Sequence, residues 1–135
     1  MDHSGIVVTL EGTDALAGTR YTATTAADGL FSFTDLEPGT YILTASLPGF
    51  LKAGRTVTEA AYESIDVGEL LLLVGDISGD NVVDIDDLLL LKKTYATIQG
   101  EIGFNPAADF NTNGRIDLID LILLARNYTK EGFAY

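Results

Sequence analysis

The chain has no cysteine, no tryptophan and a single histidine. Without cysteine there is no disulfide framework, no thiolate metal site and no thiol nucleophile. The one histidine, His3, lies in the N-terminal tail, so no Ser-His-Asp set can form in a folded site. Basic residues are also scarce. Eight Lys and Arg stand against 20 Asp and Glu, for a formal net charge of −12. Phosphate-backbone binding needs clustered Lys and Arg, so nucleic acid is not expected as a partner. No apolar run approaches the roughly 18 residues of a membrane span. The longest, Leu70 to Val74, is strand-sized, and no membrane insertion is expected. Met1-Asp2-His3-Ser4 has neither the basic region nor the apolar core of a signal peptide. It reads as a cloning remnant or as a cut inside a longer protein.

The composition present is that of a folded chain. Its 135 residues, 47% hydrophobic and 21% charged, suffice for one ordinary domain or two small ones. Two halves follow different rules. Up to Val74 the pattern is β. Ile6–Leu10, Tyr21–Thr25, Leu30–Phe33, Tyr41–Ala45, Arg55–Thr58 and Ile65–Val74 read as short strands, punctuated by Asp28-Gly29, Pro38-Gly39 and Pro48-Gly49. That spacing predicts a small antiparallel β-sandwich over residues 1–74. From residue 75 to 135 the pattern is α, with two Leu/Ile-rich helices expected over Leu88–Tyr95 and Leu121–Tyr128. The fold class is therefore β followed by α. The boundary falls near Gly75 with almost no linker, which predicts that the halves pack together.

Each helix follows an acidic loop, and the two loops repeat. Asp76, Ser78, Asp80, Asp84 and Asp87 occupy positions 1, 3, 5, 9 and 12 of the first. Asp109, Asn111, Asn113, Asp117 and Asp120 occupy the same positions of the second. Position 6, where the backbone must turn sharply, holds Asn81 and Gly114, residue types that tolerate a left-handed conformation. Position 8 is apolar in both, Val83 and Ile116. This is the calcium-loop pattern: a hard cation needs six to eight oxygens, and alternate residues of a tight loop point them inward. Position 7 contributes only a backbone carbonyl, so Val82 and Arg115 complete the two ligand sets. Two Ca²⁺ are expected, with folding of this half dependent on them, because the loops otherwise gather like charges. The same residues also read as Asx turns that cap helices. Two loops in matching register, each followed by a similar helix, favour chelation. No full helix precedes either loop, although Pro106 can open one helical turn.

On the helices, Leu88, Leu91 and Tyr95, with Leu121, Leu124 and Tyr128, form one stripe. With Val83 and Ile116 they are expected to make the core between the repeats. Apolar residues remain on the other faces, which points to a protein partner. The expected docking face comprises Ile85, Asp86, Leu89, Leu90 and Lys93 of the first repeat. Its counterpart is Leu118, Ile119, Ile122, Leu123 and Arg126 of the second.

At the motif Gly75-Asp76-x-Ser78-x-Asp80 through Asp84 and Asp87, repeated from Asp109 to Asp120, the sequence resembles a dockerin, the duplicated loop–helix (F-hand) module of cellulosomes. The stretch Asp28-Gly29-Leu30-Phe31-Ser32-Phe33 through Pro38-Gly39-Thr40-Tyr41 is similar to the carboxypeptidase-regulatory-like sandwich, the kind of Ig-like X-module that precedes type II dockerins in scaffoldins. The resemblance implies a non-catalytic, calcium-dependent assembly module, 1–74 X-module and 75–135 dockerin. Its partner would be a cohesin, with type II favoured because positions 10 and 11 hold Ile85-Asp86 and Leu118-Ile119 rather than small hydroxyl residues. It further implies a chain that is monomeric when free, secreted, and associated with a cell surface through its partner. The chain departs from the pattern at Ser78, Asn81 and Asp86.

Other functions leave weaker marks. A glycosidase pair such as Glu59 and Glu63 reads better as a solvated face, and no catalytic residue is assigned. A carbohydrate-binding module would use exposed aromatics, for which only Phe50 and Tyr62 qualify. A calcium-stabilised spacer would differ from a dockerin only in lacking a partner. Lys52 has no convincing Asn partner for an isopeptide bond, and none is expected.

Overall fold

The computed structural model describes residues 2–60 and 66–134. Tyr62, Glu63 and Ile65 lie outside them. The chain divides into two compact units that interleave in sequence. One comprises Met1–Leu47, Ala53–Leu71 and Phe133–Tyr135; the other comprises Pro48–Lys52 and Leu72–Gly132.

The first unit is built on a four-stranded antiparallel sheet in the order β2-β1-β3-β4. Its strands are β1 (Val7–Gly12), β2 (Arg20–Thr24), β3 (Gly39–Ser46) and β4 (Ala53–Glu59). The period of two sets both register and faces. Leu10 sits opposite Tyr21 and Leu43, and Val8 opposite Ala23 and Ala45. Val8, Leu10, Tyr41, Leu43 and Ala45 are buried, while the intervening Thr9, Ile42 and Thr44 are half-buried. Tyr41 closes the buried face: its hydroxyl donates to the Glu37 carbonyl at 2.6 Å, and its ring meets Tyr21 edge-on at 6.2 Å.

Two expected strands are not in the sheet. Asp28-Gly29 does turn the chain: Gly29 adopts φ +82° and the Asp28 carboxylate accepts the Leu30 N–H at 3.0 Å. Leu30–Phe33 then runs without ladder bonds. Its alternation reflects one half-buried aromatic side, where Phe31 and Phe33 meet edge-on at 6.1 Å. Likewise the described residues 66–73 carry no strand. The Arg55 guanidinium donates to the Val67 carbonyl and, at 2.7 Å, to the Glu69 carbonyl, so a side chain satisfies backbone that a ladder would otherwise satisfy.

The second unit contains α1 (Ile85–Thr94) and α2 (Leu118–Asn127), with a single 3₁₀ turn at Pro106–Ala108 where the proline was expected to open one. Both helices begin three residues before their expected starts. The cause is capping: Asp84 and Asp117 are N-caps, and each forms a capping box with the carboxylate three residues on, Asp87 or Asp120. Both also end one residue early. Tyr95 and Tyr128 are C-caps with extended ψ of 138° and 135°, which swings them off the helical stripe. They are exposed, at 44% and 40%, contrary to their expected place in the core. The core consists of Leu51, Val83, Leu91, Ala108, Phe110, Ile116 and Leu124, flanked by half-buried Leu88 and Leu121. Leu51 comes from Pro48–Lys52, and this segment is tied to Leu72–Gly132 by Leu51 N–H to Leu73 carbonyl at 2.7 Å and by a bridge between Phe50 and Val74. No helix among the described residues is long and apolar enough to cross a membrane.

Removing the Tyr41 hydroxyl deletes one part-buried hydrogen bond of the sheet unit. Tyr41→Phe is expected to cost about 1 kcal/mol of unfolding free energy, read from urea unfolding of the chain in calcium.

Candidate functional site

The backbone of each loop arranges its acidic side chains. In the first, Asp76 accepts the N–H groups of Gly79 at 2.7 Å and Asn81 at 2.9 Å, one on each oxygen. Asp87 reaches back from α1 to accept Ser78 N–H at 2.8 Å and Asp84 N–H at 2.9 Å. The second loop repeats the plan. Asp109 accepts Asn113 and Gly114, and Asp120 accepts Phe110 and Asp117. Position 6 is left-handed in both, Asn81 at φ +71° and Gly114 at +78°, as the turn requires. Position 4 is left-handed as well, in Gly79 and Thr112.

These contacts draw the carboxylates together. Oxygens of Asp76, Asp80 and Asp87 lie within 4.8 Å of one another. Asp87 and Asp120 are both at 0% exposure. No Lys or Arg forms an ion pair with a loop carboxylate among the described residues. Burial pushes the Asp120 carboxyl above its ordinary range, against the N–H donors of Asp117 and Phe110 that pull it down, while the Asp109 charge pushes it further up. Converging anionic oxygens without a protein cation suit a hard divalent ion, and the donor set is wholly oxygen. Ser78, Asp84, Asn111, Asn113 and Asp117 carry further oxygens on the loops, and Val82 and Arg115 offer backbone carbonyls. The second loop holds Asn113 where the first holds Asp80, so it has one acid fewer at positions 1, 3, 5, 9 and 12.

The two repeats are also tied to each other, which the spacing alone did not reveal. Val83 N–H donates to Lys130 carbonyl at 2.9 Å, and Thr129 N–H to Val83 carbonyl at 2.8 Å. The matching positions repeat this in reverse: Ile116 N–H to Thr97 carbonyl at 3.0 Å, and Ala96 N–H to Ile116 carbonyl at 2.8 Å. Gly132 to Asn81 and Gln99 to Gly114 extend both pairings. Each loop is thus finished by the segment that follows the other repeat's helix. Asn81 does more than turn the chain. Its side-chain oxygen accepts Lys52 N–H at 2.9 Å, and a Cβ on Gly132 would clash with that same oxygen. The only signal for this in the sequence was the replacement of the usual glycine.

Of the expected docking residues, Ile85, Asp86, Leu89 and Lys93 on α1 are exposed, as are Leu118, Ile119, Ile122 and Arg126 on α2. Leu90 and Leu123 are half-buried, and Leu123 packs against the core. The exposed apolar residues gather at the first two turns of each helix, next to the loop that caps it. Phe50, the sugar-stacking candidate, is half-buried.

Comparison with known proteins matches this division of the chain. The family model of the carboxypeptidase regulatory-like domain matches residues 3–68, and that of the dockerin type I domain matches residues 74–128. The chain therefore carries a carboxypeptidase-regulatory-like domain followed by a dockerin domain. It is 25% identical over 118 residues, 84% of its length, to cellulosomal-scaffolding protein B and to cellulosomal-scaffolding protein A of Acetivibrio thermocellus. It spans only 15% and 6% of the length of these relatives. Its fold matches chains of two type II cohesin–X-dockerin complexes from Acetivibrio cellulolyticus, one an N-terminal and one a C-terminal interface mutant. The TM-scores are 0.72 and 0.73 at 24% identity, covering 96% of this chain and 84% of the other. The expected order, an antiparallel β domain followed by a loop–helix dockerin, holds.

Asn81→Ala removes the acceptor of Lys52 N–H and puts a left-handed backbone on alanine. Each effect costs about 1 kcal/mol. Asn81→Gly removes the same side chain but places glycine at the left-handed position, so the loss of stability in urea is expected to be larger for alanine than for glycine. Faster hydrogen exchange at the Lys52 amide is expected in both.

Proposed function

We propose that the chain is a non-catalytic, calcium-dependent docking module that binds a cohesin. The observation carrying this reading is the convergence of Asp76, Asp80 and Asp87 at the N-terminus of a helix whose neighbouring surface is apolar and exposed. In it, Asp76, Ser78, Asp80, Val82, Asp84 and Asp87 hold one Ca²⁺, and Asp109, Asn111, Asn113, Arg115, Asp117 and Asp120 hold a second, with Val82 and Arg115 contributing backbone carbonyls. Calcium supplies the positive charge that lets several carboxylates sit together. The chain's own residues do the rest. Asp84 and Asp117 cap the helices, Asp87 and Asp120 join each helix to the start of its loop, and the backbone ties between repeats hold the start of each helix beside the end of the other.

The docking surface in this reading is Ile85, Asp86, Leu89, Leu90 and Lys93 with Leu118, Ile119, Ile122, Leu123 and Arg126. Leu90 and Leu123 contribute as its half-buried floor. The related position of the two sets favours two docking orientations related by a half-turn, of which the difference between Asp86 and Ile119 selects one. The proposed boundaries are 1–74 for the X-module and 75–135 for the dockerin. A type II cohesin is the favoured partner. The matching family model is described as type I, whereas the fold neighbours belong to type II complexes. The mostly apolar residues at loop positions 10 and 11 support type II. By the same reading the chain is monomeric when free and works outside the cell, tethering a scaffoldin or an enzyme to a cell-surface or adaptor protein of a cellulosome.

Calorimetry of the chain against type I and type II cohesins, in calcium and in EDTA, tests this. Binding to a type II cohesin in calcium and none in EDTA is expected; tight binding only to type I cohesins overturns the type, and none to any cohesin overturns the partner. Chelation is also expected to abolish helical circular dichroism, since binding free energy of the metal is folding free energy. Ile119→Asp with Ile122→Asp is expected to weaken cohesin binding by at least about 2 kcal/mol, as for buried apolar anchors at an interface. Unchanged affinity would remove the second repeat from the dominant interface.

A further inference from the structure

We propose that Asn113-Gly114, in the second acidic loop, is a site of spontaneous deamidation whose rate is set by the closure of that loop. It is the only Asn-Gly pair in the chain. Asparagine is chemically labile when the next backbone nitrogen can reach its side chain, and glycine leaves that nitrogen unshielded because it has no Cβ. Asn81, Asn105, Asn111 and Asn127 are instead followed by Val82, Pro106, Thr112 and Tyr128, which are bulkier or, for proline, lack the N–H.

The reaction balances with water as its only co-reactant. The Gly114 nitrogen attacks Asn113 Cγ and forms a five-membered succinimide. The Cγ–Nδ2 bond breaks, the proton of the Gly114 N–H is carried through water to the departing nitrogen, and ammonia leaves. Water then opens the ring at one of its two carbonyls. One opening yields aspartate with the original backbone; the other yields isoaspartate, with the chain rerouted through the side chain.

The folded loop engages the reacting groups in other hydrogen bonds. Gly114 N–H, the nucleophile, donates to Asp109 at 2.9 Å. The Asn113 side-chain oxygen accepts Arg115 N–H at 2.8 Å, and Asn113 N–H donates to Asp109 and Asn111 at 3.1 Å each. On the far side, the Gly114 carbonyl accepts Gln99 N–H at 2.8 Å. Asn113 itself is exposed to solvent. Attack therefore requires local opening of the loop, and the free energy of that opening sets the rate. The two products differ in consequence. Aspartate at 113 gives the second loop the acid that Asp80 gives the first. Isoaspartate adds a methylene to the backbone of the loop and displaces every later oxygen of the set.

The calcium arm of the test rests on the calcium reading above. The full chain is incubated in calcium, in EDTA and in urea. Aspartate and isoaspartate at each asparagine are then read by peptide mapping with fragmentation that separates the two. Conversion is expected at residue 113 first, fastest in urea and at least about tenfold slower in calcium, the ratio of one decade in local opening. Gly114→Ala in urea is expected to slow it, a comparison that does not depend on folding. Equal conversion at Asn81 or Asn111 in urea overturns the chemical assignment; equal rates in urea and in calcium overturn the control by loop closure. Calorimetry of calcium binding to freshly prepared chain separates the two readings. If no calcium binds, the EDTA and calcium arms coincide while urea remains faster, and the calcium reading falls without the deamidation site.

Discussion

Position 12 of each loop carries the constraint on which the second unit depends. Asp87 and Asp120 are fully buried carboxylates, each accepting one N–H from the start of its loop and one from its helix N-cap. A charge at that depth is tolerated only when it is hydrogen-bonded and compensated. The hydrogen bonds are in place, and the positive end of the helix dipole supplies part of the compensation. The remainder is left for a cation that the converging loop carboxylates could hold. One carboxylate thus closes the loop, starts the helix and brings anionic oxygens together, so the helix start and the loop cannot be ordered separately.

The two repeats are near copies with local differences, and those differences carry the individuality of the chain. Asn81 stands where the second repeat has Gly114, and its side chain reaches the Lys52 backbone. Asp80 stands where the second repeat has Asn113, so the loops differ in charge. Asp86 stands where the second repeat has Ile119, and both are exposed. A turn residue, a loop acid and a surface position each break the symmetry for a different physical reason.

Much of this was legible from spacing. The loop register, the left-handed position 6, the burial of Val83 and Ile116, the turn at Asp28-Gly29 and the β-then-α order all follow from local rules. What was not legible came from contacts distant in sequence or from competing local chemistry. The helix starts were misjudged because each helix was counted from the apolar run after position 12, when the Asp-x-x-Asp spacing from Asp84 and from Asp117 is a capping box that starts it three residues earlier. Tyr95 and Tyr128 kept the apolar period but fall just past the helix ends, where the period no longer governs direction. Leu30–Phe33 alternates because two aromatics share one side, a pattern that a strand also produces. The inclusion of Leu51 in the second unit's core, and the ties from Val83 to Lys130 and from Ile116 to Thr97, depend on partners more than 15 residues away in sequence, which no local period encodes.

Those reciprocal ties bear on how such a duplicated unit can arise. A single loop and helix would leave the backbone at position 8 with open donors and acceptors, and its own trailing segment would face a loop that is absent. Only another copy could complete it. A lone ancestor would therefore have been a symmetric dimer, limited by concentration. Joining two copies in one polypeptide makes that closure intramolecular, after which each copy is free to diverge wherever it does not hold the other shut.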